Sequence, residues 1–366
     1  MRDPYRVIVW GPGGLGTACI YEIAQRQDID LVGVRCFDPA KDGTDAGALI
    51  GIADMGVAAS SDAAKVAAID CDAIIFTPRD LGNYNNDEEL LWLLRSGRNV
   101  ITVLPYQHVR LTRDAEFVSK LEQACAEGNS VFHATGVDPD VISDRVLIGL
   151  TGFCNDISKV KLQENWDFQF TPPETMALCG FAKTPEEARA MPVAAVIAEN
   201  FLTQVCLGVG HALGVEYSRY ENSHDYVVTE KEIVQESMNI PAGTVGRVTH
   251  RCRGWVGESS EPFFEIEVNW HQGLGMLPEG TAPDQYWVIT IEGRPSIKST
   301  VDIKGSLETM SRFIPIGDRN SEPGYHATIA PCLQALPAVA TAKPGILPIT
   351  LPQMRWMPDY RMAETI

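Results

Sequence analysis

Tyr5-Arg-Val-Ile-Val-Trp10-Gly11-Pro-Gly13-Gly14-Leu15-Gly16 opens the chain with an apolar strand running into a GxGxxG turn. Leu15, Cys19, Ile20 and Ile23 then share one face of a helix, as packing on a sheet requires. Glycines at these spacings permit a tight turn and close backbone approach, so a diphosphate can rest on the helix N-terminus. GxGxxG alone is weak evidence. Here it follows a strand and opens a helix, which predicts a dinucleotide site at Gly11, Gly13, Gly14, Leu15 and Gly16. The bland alternative is an ordinary glycine-rich strand-to-helix turn.

Working outward, short apolar runs alternate with helical patterns to about residue 135. Strands are expected at 6–10, 31–37, 73–77, 99–103 and 130–134, with helices near 15–25, 62–68, 87–95 and 111–126. Such alternation means a doubly wound parallel sheet, the α/β Rossmann architecture. After about residue 155 a long helical stretch, 185–213, precedes segments alternating at period two. Phe264, Ile266, Val268 and Trp270 face one way, and Glu265, Glu267 and Asn269 the other. That pattern predicts an α+β second domain whose mostly antiparallel sheet is covered on one face. A helix at 326–340 and a Pro-rich tail close the chain. The expected division is a dinucleotide-binding domain at 1–150, a substrate and dimerisation domain at 151–324, and a segment at 325–366 returning to the first domain.

Composition narrows the function classes. The 366 residues are 45% hydrophobic and 21% charged, a soluble globular balance with core enough for two domains. A formal net charge of −18 opposes nucleic acid, and no Lys/Arg run overcomes it. No apolar run approaches about 18 residues, so no membrane span or partner membrane is expected. Nine scattered cysteines without a CxxC pair read as reduced thiols in a cytoplasm, and the histidine spacing predicts no metal site.

The end of the second strand selects the dinucleotide. An acidic residue there holds the ribose 2′-OH of NAD, whereas an arginine accommodates the 2′-phosphate of NADP. Arg35-Cys-Phe-Asp38-Pro-Ala-Lys41 places two cations at that end, which favours NADP(H); Asp38 keeps NAD(H) as the alternative. Arg35 and Asp38 pairing at the surface is the plainer reading. Thr77-Pro78-Arg79 and Thr102 end the next two strands, where loops line the ligand crevice of open α/β sheets. Strand capping by the two threonines is the competing role.

His133-Ala-Thr135-Gly136-Val-Asp138-Pro139-Asp140 resembles the GTGxNPGF segment of a family related to dihydrodipicolinate reductase. That family includes 2,4-diaminopentanoate dehydrogenase and native NAD(P)H-dependent amine dehydrogenases. The resemblance continues through Lys41-Asp-Gly43-Thr-Asp45-Ala-Gly47, Glu164-Asn-Trp166-Asp167, Gly180-Phe181 and Pro337-Ala-Val, across essentially the whole chain. It implies a nicotinamide-dependent oxidoreductase, commonly a homodimer, acting on a small carbonyl, imine or amine, with Thr135 and Gly136 beside the cofactor. Two departures stand out. Asp138-Pro139-Asp140 replaces the family's NPG, and the window 101–105 lacks the glutamate that activates ammonia in the amine dehydrogenases. The second departure bears on reductive amination, which needs a base, and not on hydride transfer.

Hydride delivery to C=O or C=N also needs a proton donor near the heteroatom. Candidates are Asp138, His133 and Glu164, with Tyr106 and His108 in a neighbouring loop. His133 reads equally as core, and Tyr106 and His108 as solvated loop. Alternation puts Glu164, Trp166, Phe168 and Phe170 on one strand face, a pocket wall or plain sheet core; there, burial would raise the Glu164 pKa toward a useful range. Asn200, Gln204 and His211 fall within about 40° of one another on the long helix, lining a pocket or bonded within a core. With Leu104 and Pro139 these complete the expected substrate contacts. The expected function is an NAD(P)H-dependent oxidoreductase with a small, largely apolar substrate between the nicotinamide and the aromatic strand. The alternatives are an amine dehydrogenase proper and a non-catalytic dinucleotide sensor or scaffold.

Overall fold

A computed structural model describes residues 3–171, 173–191, 193–235, 238–317 and 319–362. The chain forms two units, 1–141 with 304–349, and 142–303 with 350–366. The first expected boundary thus moves from 150 to 142, and the second from 325 to 304. The tail is corrected too: residues from 350 onward join the second unit, not the first.

The first unit is built on a seven-stranded parallel sheet. In chain order its strands are β1 (Tyr5–Trp10), β2 (Ile29–Arg35), β3 (Ala59–Ser60), β4 (Ala73–Phe76), β5 (Val100–Thr102) and β6 (Val131–Ala134). A C-terminal strand, Gly345–Leu347, pairs beyond β6. The Val7, Ile8, Val9 and Trp10 side chains of β1 are all fully buried, because helices cover both faces of a central parallel strand. Helix α1 (Gly14–Ala24) buries Cys19, Ile20 and Ile23 beside Val7 and Val9. On the opposite face α2 (Asp87–Arg95) and α3 (Ala115–Gly128) cover Ile8, Trp10 and Phe76. Two elements escape the sequence pattern. β3 has only two residues, and the terminal strand hides in a Pro-rich stretch with little alternation. The expected helix at 111–126 begins instead at Ala115, because the Asp114 side chain accepts from Phe117 N and caps it there.

The second unit carries a six-stranded sheet in the order β12-β11-β7-β10-β9-β8. Its strands are β7 (Ile157–Asp167), β8 (Arg219–Val228), β9 (Val245–Trp255), β10 (Phe264–His271), β11 (Trp287–Gly293) and β12 (Ile297–Val301). Only β7 and β10 pair in parallel, so the mostly antiparallel reading holds. β8 reads polar in sequence and was not anticipated. The expected helix 185–213 breaks into Pro185–Arg189 and α4 (Val193–Leu213). The break falls at Ala190-Met-Pro192, where proline removes an amide and disfavours helical geometry in the residue before it; Pro192 itself lies outside the described residues. Contrary to the sequence reading, α4 is long and apolar enough to cross a membrane by length and composition. It packs on β8, β9 and β10, with Leu202, Val205, Cys206 and Val209 buried.

Candidate functional site

Each glycine of the opening turn meets a different constraint. Gly11 adopts φ +105°, and a Cβ there would lie 2.8 Å from the Thr77 carbonyl oxygen. A Cβ on Gly16 would lie 2.1 Å from the Gly11 oxygen, so helix and strand touch backbone to backbone. Gly13 is the exception: nothing lies within 4 Å of where its Cβ would point. The space beside the turn is open where a bound group would sit. Gly13 also caps α1 without a side-chain hydrogen bond, and the first turn contains no acidic residue. The first amides of a helix lack intrahelical partners, and here nothing negative competes for them. These features fit the diphosphate of a dinucleotide. Leu15 turns its side chain into the core, leaving only its backbone to serve the turn. The Tyr325 ring, which sequence reasoning missed, lies 3.1 Å from the Gly14 Cβ direction.

Around the turn, several expected cofactor contacts hold the protein itself. Thr77 Oγ1 donates to the Gly11 carbonyl at 3.0 Å, and Lys41 Nζ donates to the Pro12 carbonyl at 2.7 Å. Thr102 is fully buried, its hydroxyl donating to Phe76 O and accepting from Leu104 N, so capping is its role. Pro78 is buried and Arg79 exposed, with the Arg79 carbonyl accepting from Asn85 and Asn86. Arg35 and Asp38 do not pair among the described residues. Asp38 instead caps Ala40 N at 2.9 Å, and the Arg35 guanidinium stacks 4.5 Å from the Phe37 ring centroid. Arg35 Nε and Nη1 have no hydrogen-bond partner among the described residues.

The family-like segment is strained. The Asp138–Pro139 peptide is cis, and Asp140 holds φ +110°, ψ −82°, a region that suits glycine. Asp140 is fully buried and accepts from Thr135 Oγ1, while Thr135 N donates to Thr102 O at 2.9 Å. The bond to Thr135 is one anchor of this buried carboxylate. Such outliers persist where the surroundings over-determine them, often at functional sites. Gly136 and Pro139 are buried beside it, and Asp138 is half-buried.

Other residues expected as proton donors and pocket walls make contacts within the protein. His133 is buried and bonds through Nδ1 to Leu347 O at 2.9 Å, tying the terminal strand to β6. Tyr106 is not solvated: it is buried, donates to Asp87 Oδ1 at 2.6 Å and stacks on Phe117. Leu104 lies in the same core. His108 is half-buried.

β7 ends at Asp167, whose side chain caps a turn of 3-10 helix over Phe168–Phe170, so Phe168 leaves the strand face. Its ring fills the centre of a cluster, 5.0 Å from Trp270, 4.7 Å from Trp166 and 5.5 Å from Phe181. Phe168 belongs to the buried cluster of this sheet, and half-buried Trp166 packs against it. The Phe170 side chain lies outside the described residues. On α4, Gln204 is buried, Asn200 half-buried and His211 exposed at the helix end, so the three do not line one pocket.

Glu164 is the candidate the structure strengthens. The residue keeps a partly open surface while its carboxyl is deeply shielded, accepting from Trp287 Nε1 at 2.8 Å. Burial pushes its pKa up to about 7, partly offset by the Trp287 bond. At neutral pH such a group is poised to give or take a proton.

No family profile matches the chain. An amine dehydrogenase of Streptomyces virginiae is 26% identical over 356 residues, covering 93% of each chain. The 2,4-diaminopentanoate dehydrogenase of Acetoanaerobium sticklandii is 22% identical, covering 98% of this chain and 97% of that one. Among solved structures, an amine dehydrogenase from Mycobacterium smegmatis matches with a TM-score of 0.76 at 20% identity, covering 98% and 99%. GenD2 from gentamicin A biosynthesis, solved with NAD, matches at TM-score 0.51 and 12% identity, covering 93% and 87%. Glycine turn, two-unit fold and full-length relatives together define an NAD(P)-dependent oxidoreductase. Within that class the chain is a homologue of the amine and 2,4-diaminopentanoate dehydrogenases whose motifs its sequence resembles.

Proposed function

We propose that the chain transfers hydride between NADP(H) and a small, largely apolar carbonyl, imine or amine, and that it works as a homodimer. The observation that carries this reading is the open space beside Gly13 at an uncapped, acid-free helix start. Arg35 supports the phosphorylated cofactor: its cation is stacked, not paired with Asp38, and Nε and Nη1 lack acceptors. The nicotinamide group, when bound, supplies or accepts the hydride. Glu164 then serves as a proton donor, its shielded carboxyl half protonated near pH 7. Asp138 and the Thr135–Asp140 pair shape the loop after β6. The homodimer and the small-molecule substrate rest on the family resemblance. Fluorescence titration with NADPH and NADH tests the core of the proposal. Binding of NADPH is expected to be the tighter, and no affinity for either would end it. Amine-dependent NADP+ reduction over a panel of short amines tests the substrate class.

A further inference from the structure

Inside the second unit, α4, β8 and β9 bring together three polar side chains on the helix-covered face of the sheet. Glu199 Oε1 meets His224 Nε2 at 2.8 Å, and His224 Nδ1 meets His250 Nδ1 at 2.6 Å. The burial deepens along this chain. Glu199 keeps 41% of its side chain exposed, His224 17%, and the His250 residue none. At the inner end His250 Nε2 has no hydrogen-bond partner among the described residues, and the Trp270 ring stands edge-on, 4.7 Å away between centroids. An orphaned polar atom this deep is costly and calls for a reason.

With Glu199 as the carboxylate and His224 neutral, the two contacts fix the tautomers. A carboxylate only accepts, so His224 Nε2 carries the proton that faces Glu199. In neutral His224, Nδ1 is then an acceptor, which makes His250 Nδ1 the donor. His250 Nε2 is left as a bare lone pair.

We propose that Glu199, His224 and His250 form a proton relay, with His250 Nε2 as the acceptor for an N–H of a small protonated amine. This rests on the amine- or carbonyl-handling function proposed above. In the transfer, the ammonium N–H bond breaks and an Nε2–H bond forms on His250. The His250 Nδ1–H proton passes to His224 Nδ1, and the resulting imidazolium lies against the Glu199 carboxylate. No electrons move; one proton leaves the amine, and the added charge rests on His224. Half-exposed Glu199 links the relay to solvent. Burial and the neighbouring His224 push the His250 pKa down to about 3, so His250 is neutral in the resting site. The other titratable groups on this face include Glu164, across β10 through Val268, Cys252 of β9, Tyr220 and Tyr226 of β8, and Cys206 of α4, which meets Cys252. None of these adds a fixed charge beside His250 when Glu164 is protonated. In this structure no solvent reaches Nε2, so an amine meets it only through a local opening of the site.

Nitrogen-15 NMR of the full chain, labelled at histidine and bound to NADP+, tests the relay, with cyclohexylamine as the probe and H250N assigning the resonance. The expected result is His250 protonated at Nδ1 and bare at Nε2, with the Nε2 signal moving on addition of amine. Glu199→Gln should weaken that response and lower amine-dependent NADP+ reduction about tenfold, moving its pH profile. A His250 protonated at Nε2, or a bare Nε2 that ignores the amine, overturns the relay. Failure of the broader reading shows separately, as loss of cofactor binding or of all turnover, while the tautomer is read without any reaction.

Discussion

The glycine turn of the first unit and the helix-covered sheet face of the second present their chemistry in opposite ways. At the turn the working groups are backbone amides, and side chains matter mainly by being absent. On the sheet face they are side chains from four separate elements: Glu164 of β7, His250 of β9, His224 of β8 and Glu199 of α4. The turn stays open at Gly13, whereas the sheet face is closed enough to strip His250 of solvent. One site is made by leaving room; the other by removing water. Backbone amides at a helix start need no tuning, but carboxyls and imidazoles acquire useful proton affinities only through their surroundings.

Substitutions at the turn break this comparison most sharply. Gly16→Val drives a side chain into the Gly11 carbonyl, so it should cost about 5 kcal/mol or more in denaturant unfolding and abolish binding. Gly13→Trp starts from a Cβ position with nothing within 4 Å and projects bulk into the open space. It should leave the unfolding midpoint unchanged and weaken NADPH binding about 1,000-fold, roughly 4 kcal/mol. Equal damage to stability from both variants would show that the space beside Gly13 is not a ligand cradle.

The sheet face is sharpened by pH. Glu164 has its pKa raised by burial from 4.5 to about 7, so folding favours its protonated form. The stability linked to that proton is full below about pH 4.5 and is lost as pH rises through about 7. Glu164→Gln keeps an acceptor for Trp287 and has no proton to lose. Relative to wild type, it should therefore gain about 3 kcal/mol between pH 4 and pH 8 in thermal or denaturant unfolding. A flat difference across that range would mean the carboxyl is solvated. The smallest effect is expected at Arg35→Ala, which should weaken NADPH about tenfold and leave NADH unaltered in the same fluorescence titration. Equal losses for both cofactors would remove Arg35 from a 2′-phosphate role.

The two regions also differ in how far they could be read from the chain alone. Gly11, Gly13 and Gly16 announced themselves, because a strand, a glycine turn and a helix are contiguous and each glycine answers a local steric demand. Glu164 was legible as a carboxylate at an apolar-face position of an alternating strand. Phe168 was not: the alternation continues past Asp167, but a capped turn takes Phe168 off the strand and into the core. Asn200, Gln204 and His211 share a helical stripe, yet neighbouring elements bury the middle one and expose the last. Asp140 was legible as a departure from the family's glycine but its positive φ was not, because backbone conformation is invisible in composition; Tyr325 gave no signal because it reaches the glycine turn from over 300 residues away.

Local order in the chain settled the parallel sheet, the dinucleotide turn and the change to an antiparallel second unit, since periodicity and glycine spacing act between near neighbours. Folding in three dimensions decided which threonines cap strands, which aromatics fill the core, and that the terminal strand extends the first sheet. It also decided that two histidines and a glutamate, 25 and 26 residues apart in sequence, stand in one hydrogen-bonded row. Proton affinity and hydrogen-bond partnership depend on what lies within a few ångströms, and for β-strands and a crossing helix those neighbours come from distant parts of the chain.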